Sequence, residues 1–172
     1  MLNKYDAQNP VNQIKMTNKF VWSNPAHAVA SCLGIGQFTN APGTLGSVAA
    51  ALLFIVFSPS LSQSTWILLA CVLFALGVWS AGKVAEHLGV DDHRGVVIDE
   101  FVGMLLVMMC VPQGTIWWIL AFVAFRFFDI YKLPPVDMID EKMKNGFGVM
   151  LDDIVAAFYA GIVVWVLAWL FS

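Results

Sequence analysis

Seven ionisable side chains stand at the ends of long apolar stretches of this chain, where charge is costly to bury. They are Asp99, Glu100, Arg126, Asp129, Lys132, Asp152 and Asp153. An ionised side chain costs about 2.5–3.5 kcal/mol at the centre of a membrane helix and less near its ends. The grouping therefore predicts that these side chains meet in one site and perform chemistry there.

The acidic members of this group have the chemistry of a magnesium site. Carboxylates from separate helices repel one another unless a cation lies among them, and Mg²⁺ prefers hard oxygen ligands. We therefore expect Mg²⁺ as the cofactor, with candidate ligands Asp99, Glu100, Asp129, Asp152 and Asp153. Because Mg²⁺ usually takes one or two protein carboxylates and keeps several waters, some of these acids are expected to act indirectly.

The basic members suit a phosphate ligand. Arg126 offers a planar pair of donors and Lys132 a point charge, and helical spacing puts both on one face with Asp129. A turn at residues 43–47 offers further donors at the start of an apolar stretch. We predict a catalytic set and a phosphate-binding set. The catalytic set is Asp99, Asp129, Arg126 and Lys132, and the phosphate-binding set is Arg126, Lys132, Thr44 and Ser47.

Each part of this group also has a plainer interpretation. The acid pair at 152–153 could consist of acids that merely favour a helix N-terminus. Thr44 and Ser47 could be helix caps, and Arg126 with Asp129 could be a buried structural ion pair. A pair such as Asp91 and Asp92 is usual in a solvated loop, and His27, His87 and His93 are interpreted as interfacial polar residues.

The composition predicts a membrane protein. Hydrophobic residues make up 59% of the 172 residues and charged residues 12%, against roughly 45–50% and about 25% in soluble domains. A spanning helix needs about 20 apolar residues, and five stretches approach this length. They cover residues 45–57, 66–82, 96–111, 116–131 and 154–171. A shorter stretch at 27–35 is expected to form an interfacial or re-entrant helix.

The predicted fold class is an all-α, polytopic membrane bundle of about five spans. A variable cytoplasmic tail is predicted at 1–24 and one transmembrane catalytic domain at 25–172. The connections at 58–65 and 112–115 carry no charge, whereas the charged residues fall on the opposite side of the spans. By the preference of Lys and Arg for the cytoplasm, the N-terminus is inside and the C-terminus outside. The tryptophans at the uncharged ends, including Trp66 and Trp169, are expected in the headgroup region or inside the bundle.

Several other function classes are disfavoured. The net charge of −3 suggests no nucleic-acid partner, and no obligate protein partner is implied. Cys32, Cys71 and Cys110 are widely spaced in apolar surroundings, which favours packing over disulfides or metal binding. None of them is followed by the arginine-ended phosphate loop of a cysteine phosphatase.

Four motifs together resemble the phosphatidylglycerophosphatase A family in order and spacing. They are Ala-Pro-Gly-Thr-Leu-Gly-Ser at 41–47, Val-Ile-Asp-Glu at 97–100, Phe-Arg-Phe-Phe-Asp at 125–129 with Lys132, and Gly-Val-Met-Leu-Asp-Asp at 148–153. The resemblance begins near residue 25 and continues to the end of the chain. It implies magnesium-dependent removal of the terminal phosphate from phosphatidylglycerophosphate, giving phosphatidylglycerol, at the cytoplasmic face of a bacterial inner membrane.

The nucleophile and two rival functions remain open at this stage. Attack could come from a water on the metal or from an aspartate that forms an aspartyl phosphate. A CDP-alcohol phosphatidyltransferase also gathers aspartates and magnesium, but its Asp-x2-Asp-Gly-x2-Ala-Arg pattern is absent from the chain. A small cation transporter would use Asp99, Glu100 and Asp129 as an ion path and would need charges deep within its spans.

Overall fold

The computed structural model describes residues 14–38, 40–90, 92–134, 136, 138 and 142–171. The described residues form helices and connecting turns without strands, as the all-α prediction requires. The α-helices are α1 (Asn18–Val21), α2 (Pro25–Ala30), α3 (Pro42–Phe57), α4 (Gln63–Leu88), α5 (Ile98–Cys110), α6 (Thr115–Tyr131) and α7 (Gly146–Leu170). A 3-10 helix, Ile35–Gln37, lies between α2 and α3.

The five long helices, α3 to α7, coincide with the five predicted apolar stretches, and α4 and α7 extend furthest beyond them. α4 continues past residue 82 to Leu88, because Lys83 and Glu86 have helical spacing and form an ion pair of 2.6 Å across one turn. α7 begins at Gly146 rather than at residue 154. The Asn145 side chain caps it by accepting a hydrogen bond of 2.9 Å from the Gly148 N–H.

Two of these helices, α4 and α7, are long and apolar enough to cross a bilayer, judged by length and composition over the described residues. Helices α3, α5 and α6 have 16, 13 and 17 residues, or about 20–26 Å at 1.5 Å per residue. A hydrocarbon core is about 30 Å thick. The helical bundle is therefore confirmed, whereas the number of five spans stays a prediction.

Helix α5 lies at the centre of the bundle, because it packs against α3, α4, α6 and α7. Apolar side chains fill the interior in two clusters. In the larger cluster Phe54 packs on Trp66 with ring centroids 5.0 Å apart, and both side chains are buried. Trp66 therefore lies inside the bundle, whereas Trp169 is exposed. The smaller cluster joins the N-terminal segment to α4, α5 and α7 and includes Val84 and Met150.

The N-terminal segment packs against the end of α4 through a pair of histidines. His27 is buried, stacks on Phe20 at 3.9 Å, and its Nε2 lies 2.7 Å from Nδ1 of His87. The ring of His27 is thus enclosed by these partners within the protein, and its position at the membrane interface stays a prediction. Residues 14–24 of the predicted tail include the fully buried Val21, and residues 1–13 lie outside the described residues.

The helix predicted at 27–35 is shorter than expected. It ends at Ala30, because Cys32, Leu33 and Gly34 adopt positive φ angles of 46°, 59° and 96°. Left-handed backbone ends a helix, and it is unusual for a leucine. We call residues 31–37, which combine this turn with the 3-10 helix, the left-handed loop.

Candidate functional site

The site lies where α5 and α7 begin, α6 ends and α3 starts. Asp99 and Glu100 occupy the first turn of α5, and Arg126 and Asp129 the end of α6. Consecutive long helices run in opposite directions, so these helix ends meet at one end of the bundle. The acid pair at 152–153 stands in the second turn of α7, not at its first turn. The plainer interpretation of this pair as N-terminal helix acids is therefore not supported.

Three acids form the centre of the site. Asp99, Glu100 and Asp153 are all buried, and each offers an oxygen within 4.8 Å of the others. Asp153 Oδ2 is buried and accepts no hydrogen bond from the described residues. The carboxylate of Asp153 also lies within electrostatic reach of Asp129 and Asp152. We call Asp99, Glu100 and Asp153 the acid trio.

The acid trio fits a divalent cation. Buried carboxylates of like charge repel strongly, and a hard cation removes the repulsion while accepting their oxygens. The unsatisfied oxygen of Asp153 is the kind of buried acceptor that a cation or its water would satisfy. Over the described residues this is the one group of three or more potential ligands whose atoms lie this close.

Two basic side chains border the acid trio, and each pairs with another acid. Arg126 Nη1 lies 2.5 Å from Asp129 Oδ2, and both residues are buried. Lys132 Nζ lies 2.8 Å from Asp152 Oδ2, which joins the end of α6 to α7. Lys132 adopts a left-handed conformation with φ of 43° as the C-cap of α6, so its side chain leaves the helix at the site. Positive charge thus stands beside the acids, where a phosphate would need it.

Helix α3 contributes Ser47 to the site. Ser47 is fully buried, donates a hydrogen bond of 2.9 Å to the Gly43 carbonyl, and accepts one of 3.4 Å from Arg126 Nη1. Thr44 is half-buried in the first turn of α3. Neither residue caps the helix, because the N-cap is Ala41. Ser47 therefore orients Arg126. Thr44 lies about one turn before Ser47 on the same helix.

A glycine allows the helices to approach at the level of the site. A β-carbon at Gly103 of α5 would lie 2.7 Å from the Phe125 ring and 3.1 Å from the Asp153 carbonyl oxygen. Glycine therefore lets α6 and α7 pack closely on α5, one turn beyond Asp99 and Glu100. Gly103 was not predicted as a functional residue, because a glycine in an apolar stretch does not indicate which helix packs against it.

The cysteine nearest the site has no nucleophilic character. Burial, followed by the charges of Asp99 and Glu100, raises the pKa of the Cys32 thiol well above its usual range. A thiol in this state does not form the thiolate that attack on phosphorus needs. All three cysteines are free thiols, but Cys71 and Cys110 are exposed, so the predicted packing role does not hold for these two.

His93 is a buried structural residue, a role that the sequence did not indicate. It is buried, its Nδ1 accepts a hydrogen bond of 3.0 Å from the Gly95 N–H, and its Nε2 donates one of 2.7 Å to the Ile14 carbonyl. These partners select the neutral ring with its proton on Nε2. His93 thus ties the N-terminal segment to the loop that precedes Asp99 and Glu100. Asp91, by contrast, lies outside the described residues.

Comparison with known proteins agrees with the motifs. The sequence profile of the family described as Phosphatidylglycerophosphatase A matches residues 28–168. The chain belongs to the phosphatidylglycerophosphatase A family. This confirms both the predicted family and the enzyme class of phosphoric monoester hydrolase. The matched region contains the acid trio, both basic residues and Ser47.

Three curated relatives show how far the similarity to this family extends. The chain is 41% identical over 157 residues to a Phosphatidylglycerophosphatase A of Haemophilus influenzae, covering 91% of this chain and 93% of the relative. It is 37% identical over 135 residues to the Escherichia coli protein of the same name, covering 78% of each. A Putative phosphatidylinositol-3-phosphatase of Bacteroides thetaiotaomicron is 37% identical over 149 residues, covering 82% of this chain and 92% of the relative. No solved structure matches the chain.

Proposed function

We propose that this protein hydrolyses phosphatidylglycerophosphate to phosphatidylglycerol and inorganic phosphate, as a step of phospholipid synthesis. The observation that carries the proposal is the buried acid trio with Arg126 and Lys132 beside it. The family and the names of two relatives support the substrate. A terminal phosphomonoester brings the negative oxygens that such a mixed acidic and basic site would bind.

Magnesium is the cofactor in this proposal. Asp99, Glu100 and Asp153 would hold the ion, and Asp129 and Asp152 would act from their ion pairs with Arg126 and Lys132. When bound, the ion would supply a positive charge that binds phosphate oxygens and offsets charge in the transition state. Magnesium suits a set of carboxylate oxygens in which only one or two are direct ligands.

The residues of the chain have distinct roles in the proposed reaction. Arg126 would bind two phosphate oxygens through its planar guanidinium, held in orientation by Ser47 and Asp129. Lys132 would add a single charge from the end of α6. Attack on phosphorus is assigned either to water or to a carboxylate such as Asp129, whose aspartyl phosphate water then hydrolyses.

The proposed location is a bacterial inner membrane, with the site facing the cytoplasm. Helices α4 and α7 would cross the bilayer, and α3, α5 and α6 would complete a bundle of five spans. The shorter helices would require local thinning of the bilayer or entry of water at the charged end. In this arrangement the site would reach the head group of a lipid while the acyl chains of that lipid stay in the bilayer.

Phosphate release from purified protein tests the proposal. The protein in detergent is supplied with phosphatidylglycerophosphate or phosphatidylinositol 3-phosphate, each with Mg²⁺ or with EDTA. We expect release from phosphatidylglycerophosphate with Mg²⁺ and loss of release with EDTA. Asp129→Asn should abolish turnover and leave the protein folded. Release that is equal with EDTA would overturn the magnesium assignment, and preference for the inositol lipid would overturn the substrate assignment.

A further inference from the structure

A polar pocket of about 350 Å³ is lined in part by the loop that leads into α5, and no member of the acid trio is in its described lining. It is bounded by the left-handed loop, the segment at 14–16 and the loop that precedes α5. Its polar lining comprises Lys15, Gln37, Asn40, His93 and Arg94. No acidic residue is among the described residues that line it.

The charge of this pocket is positive. Lys15 and Arg94 form no ion pair within the described part of the chain. His93 contributes no charge in its hydrogen-bonded state, since its two partners require the neutral ring. Gln37 adds an amide nitrogen, Nε2, that has no hydrogen-bond partner in the described chain. A pocket whose described lining has two cations, one amide donor without a partner and no acid favours an anion.

The pocket shares the chain segment before α5 with the acid trio, and it reaches the surface of the protein. Gly36 has no room for a side chain, because a β-carbon there would contact the Gly95 carbonyl oxygen. Gly95 precedes Asp99 by four residues, which limits their Cα separation to roughly 14 Å. At the other side Phe38 lines the pocket and is 74% exposed, which is typical of a residue at the lipid interface.

We propose that this pocket binds the phosphodiester group of the lipid substrate while the acid trio receives the terminal phosphoryl group. This rests on the proposed function, because phosphatidylglycerophosphate carries both groups, separated by one glycerol unit. Arg94 and Lys15 would pair with the singly charged phosphodiester, and Phe38 would contact the start of the acyl chains. The pocket would thus select a lipid with two phosphates over one whose only phosphate is the terminal group.

The two halves of the substrate allow the pocket to be tested separately from the acid trio. Phosphatidylglycerol retains the phosphodiester and lacks the terminal phosphate, whereas inorganic phosphate resembles the terminal group alone. We expect Arg94→Gln to raise the KM and the phosphatidylglycerol inhibition constant about fivefold to tenfold. The kcat and the inhibition constant for inorganic phosphate should change by less than about twofold. Lys15→Gln should act in the same direction by a smaller factor, since Lys15 is exposed.

A matched control is Lys19→Gln, which removes an exposed lysine of α1 that does not line the pocket. It should leave every constant unchanged, which separates the pocket from general attraction to an anionic surface. Unchanged phosphatidylglycerol inhibition in the Arg94→Gln, Lys15→Gln double variant would overturn the inference. Equal loss of inhibition by phosphatidylglycerol and by phosphate would do so too.

Failure of the proposed function would look different. Wild-type protein would then release no phosphate from phosphatidylglycerophosphate. Binding of a short-chain phosphatidylglycerol to the protein in detergent, measured against a diacylglycerol of the same chains, would still test the pocket without turnover. Weaker binding by Arg94→Gln than by Lys19→Gln would support it, and equal binding would overturn it.

Discussion

At one end of the bundle five buried carboxyl groups crowd around two basic side chains, whereas towards the middle and the opposite end Phe54 packs on Trp66 among apolar neighbours. The apolar part satisfies ordinary packing rules and stabilises the fold. The charged end destabilises the fold when no cation is present, because its acids repel one another. Packing in the apolar part therefore holds the acids close together in readiness for a ligand.

The largest effect is expected from Asp153→Asn, which removes one member of the acid trio. Phosphate release should fall about a hundredfold to a thousandfold, because a group that stabilises the transition state is lost. Thermal unfolding in EDTA should be unchanged or shifted upwards, since a buried repulsion is relieved. Glu86→Gln, which alters an exposed acid of α4, is the control and should be neutral. Activity above a tenth of wild type in Asp153→Asn would contradict the assignment of Asp153 to the site.

The next effect concerns the orientation of Arg126. Arg126→Lys should lower kcat/KM about tenfold to a hundredfold, because lysine lacks the planar guanidinium that would bind two phosphate oxygens. In Arg126 a single nitrogen, Nη1, contacts both Asp129 and Ser47 and fixes the orientation of that group. Ser47→Ala leaves the guanidinium in place and should cost only a few-fold. Steady-state kinetics of both variants provide the measurement. A larger loss in Ser47→Ala than in Arg126→Lys would contradict the assigned order of roles.

Gly103→Ala tests whether close helix packing maintains the charged end. The new β-carbon would meet the Phe125 ring at 2.7 Å, so the helices must separate at a cost of about 1–3 kcal/mol. Activity should fall several-fold, together with the midpoint of thermal unfolding. Gly161→Ala in α7 is the control, since no atom lies within 4 Å of its new methyl group, and it should be neutral or stabilising by up to about 1 kcal/mol. Equal behaviour of the two variants would show that packing at Gly103 is not tight.

The smallest effect on catalysis is expected from Phe54→Ala in the apolar part. The cavity should lower the free energy of unfolding by about 3 kcal/mol, in line with other large-to-small changes in packed interiors. The kcat per folded molecule should stay within twofold of wild type at a temperature well below the unfolding transition. A specific loss of kcat without loss of stability would show that the two parts are coupled.

The sequence predicted the helices better than their ends. Long apolar runs identified α3 to α7, because such runs are rare outside membrane and core helices. The apolar stretch ends at residue 82, before Lys83, and so does not predict the last turns of α4. The start of α7 was also not predicted, because glycines at 146 and 148 are unfavourable in a helix. Helix α2 ends at Ala30 because the residues of the left-handed loop adopt positive φ angles. Among these residues only Gly34 is of a type that predicts such an angle.

For the site, the residue types and their meeting at one end of the bundle were predictable, whereas the division of the acids between the trio and the ion pairs was not. The repulsion argument identified five acids, but only distances separate Asp99, Glu100 and Asp153 from Asp129 and Asp152, which pair with Arg126 and Lys132. The His27–His87 contact joins residues 60 positions apart. No local sequence pattern indicates such a pair, so it could be identified only from the structure.

Binding of a divalent cation to the acid trio tests the central claim most directly. Mn²⁺ can stand in for Mg²⁺ and is followed by its electron paramagnetic resonance signal in titrations of wild type, Asp153→Asn and Glu86→Gln. We expect one tight site in wild type and in Glu86→Gln, from which Mg²⁺ displaces Mn²⁺, and at least tenfold weaker binding in Asp153→Asn. Equal affinity in all three proteins, or no binding in wild type, would contradict it.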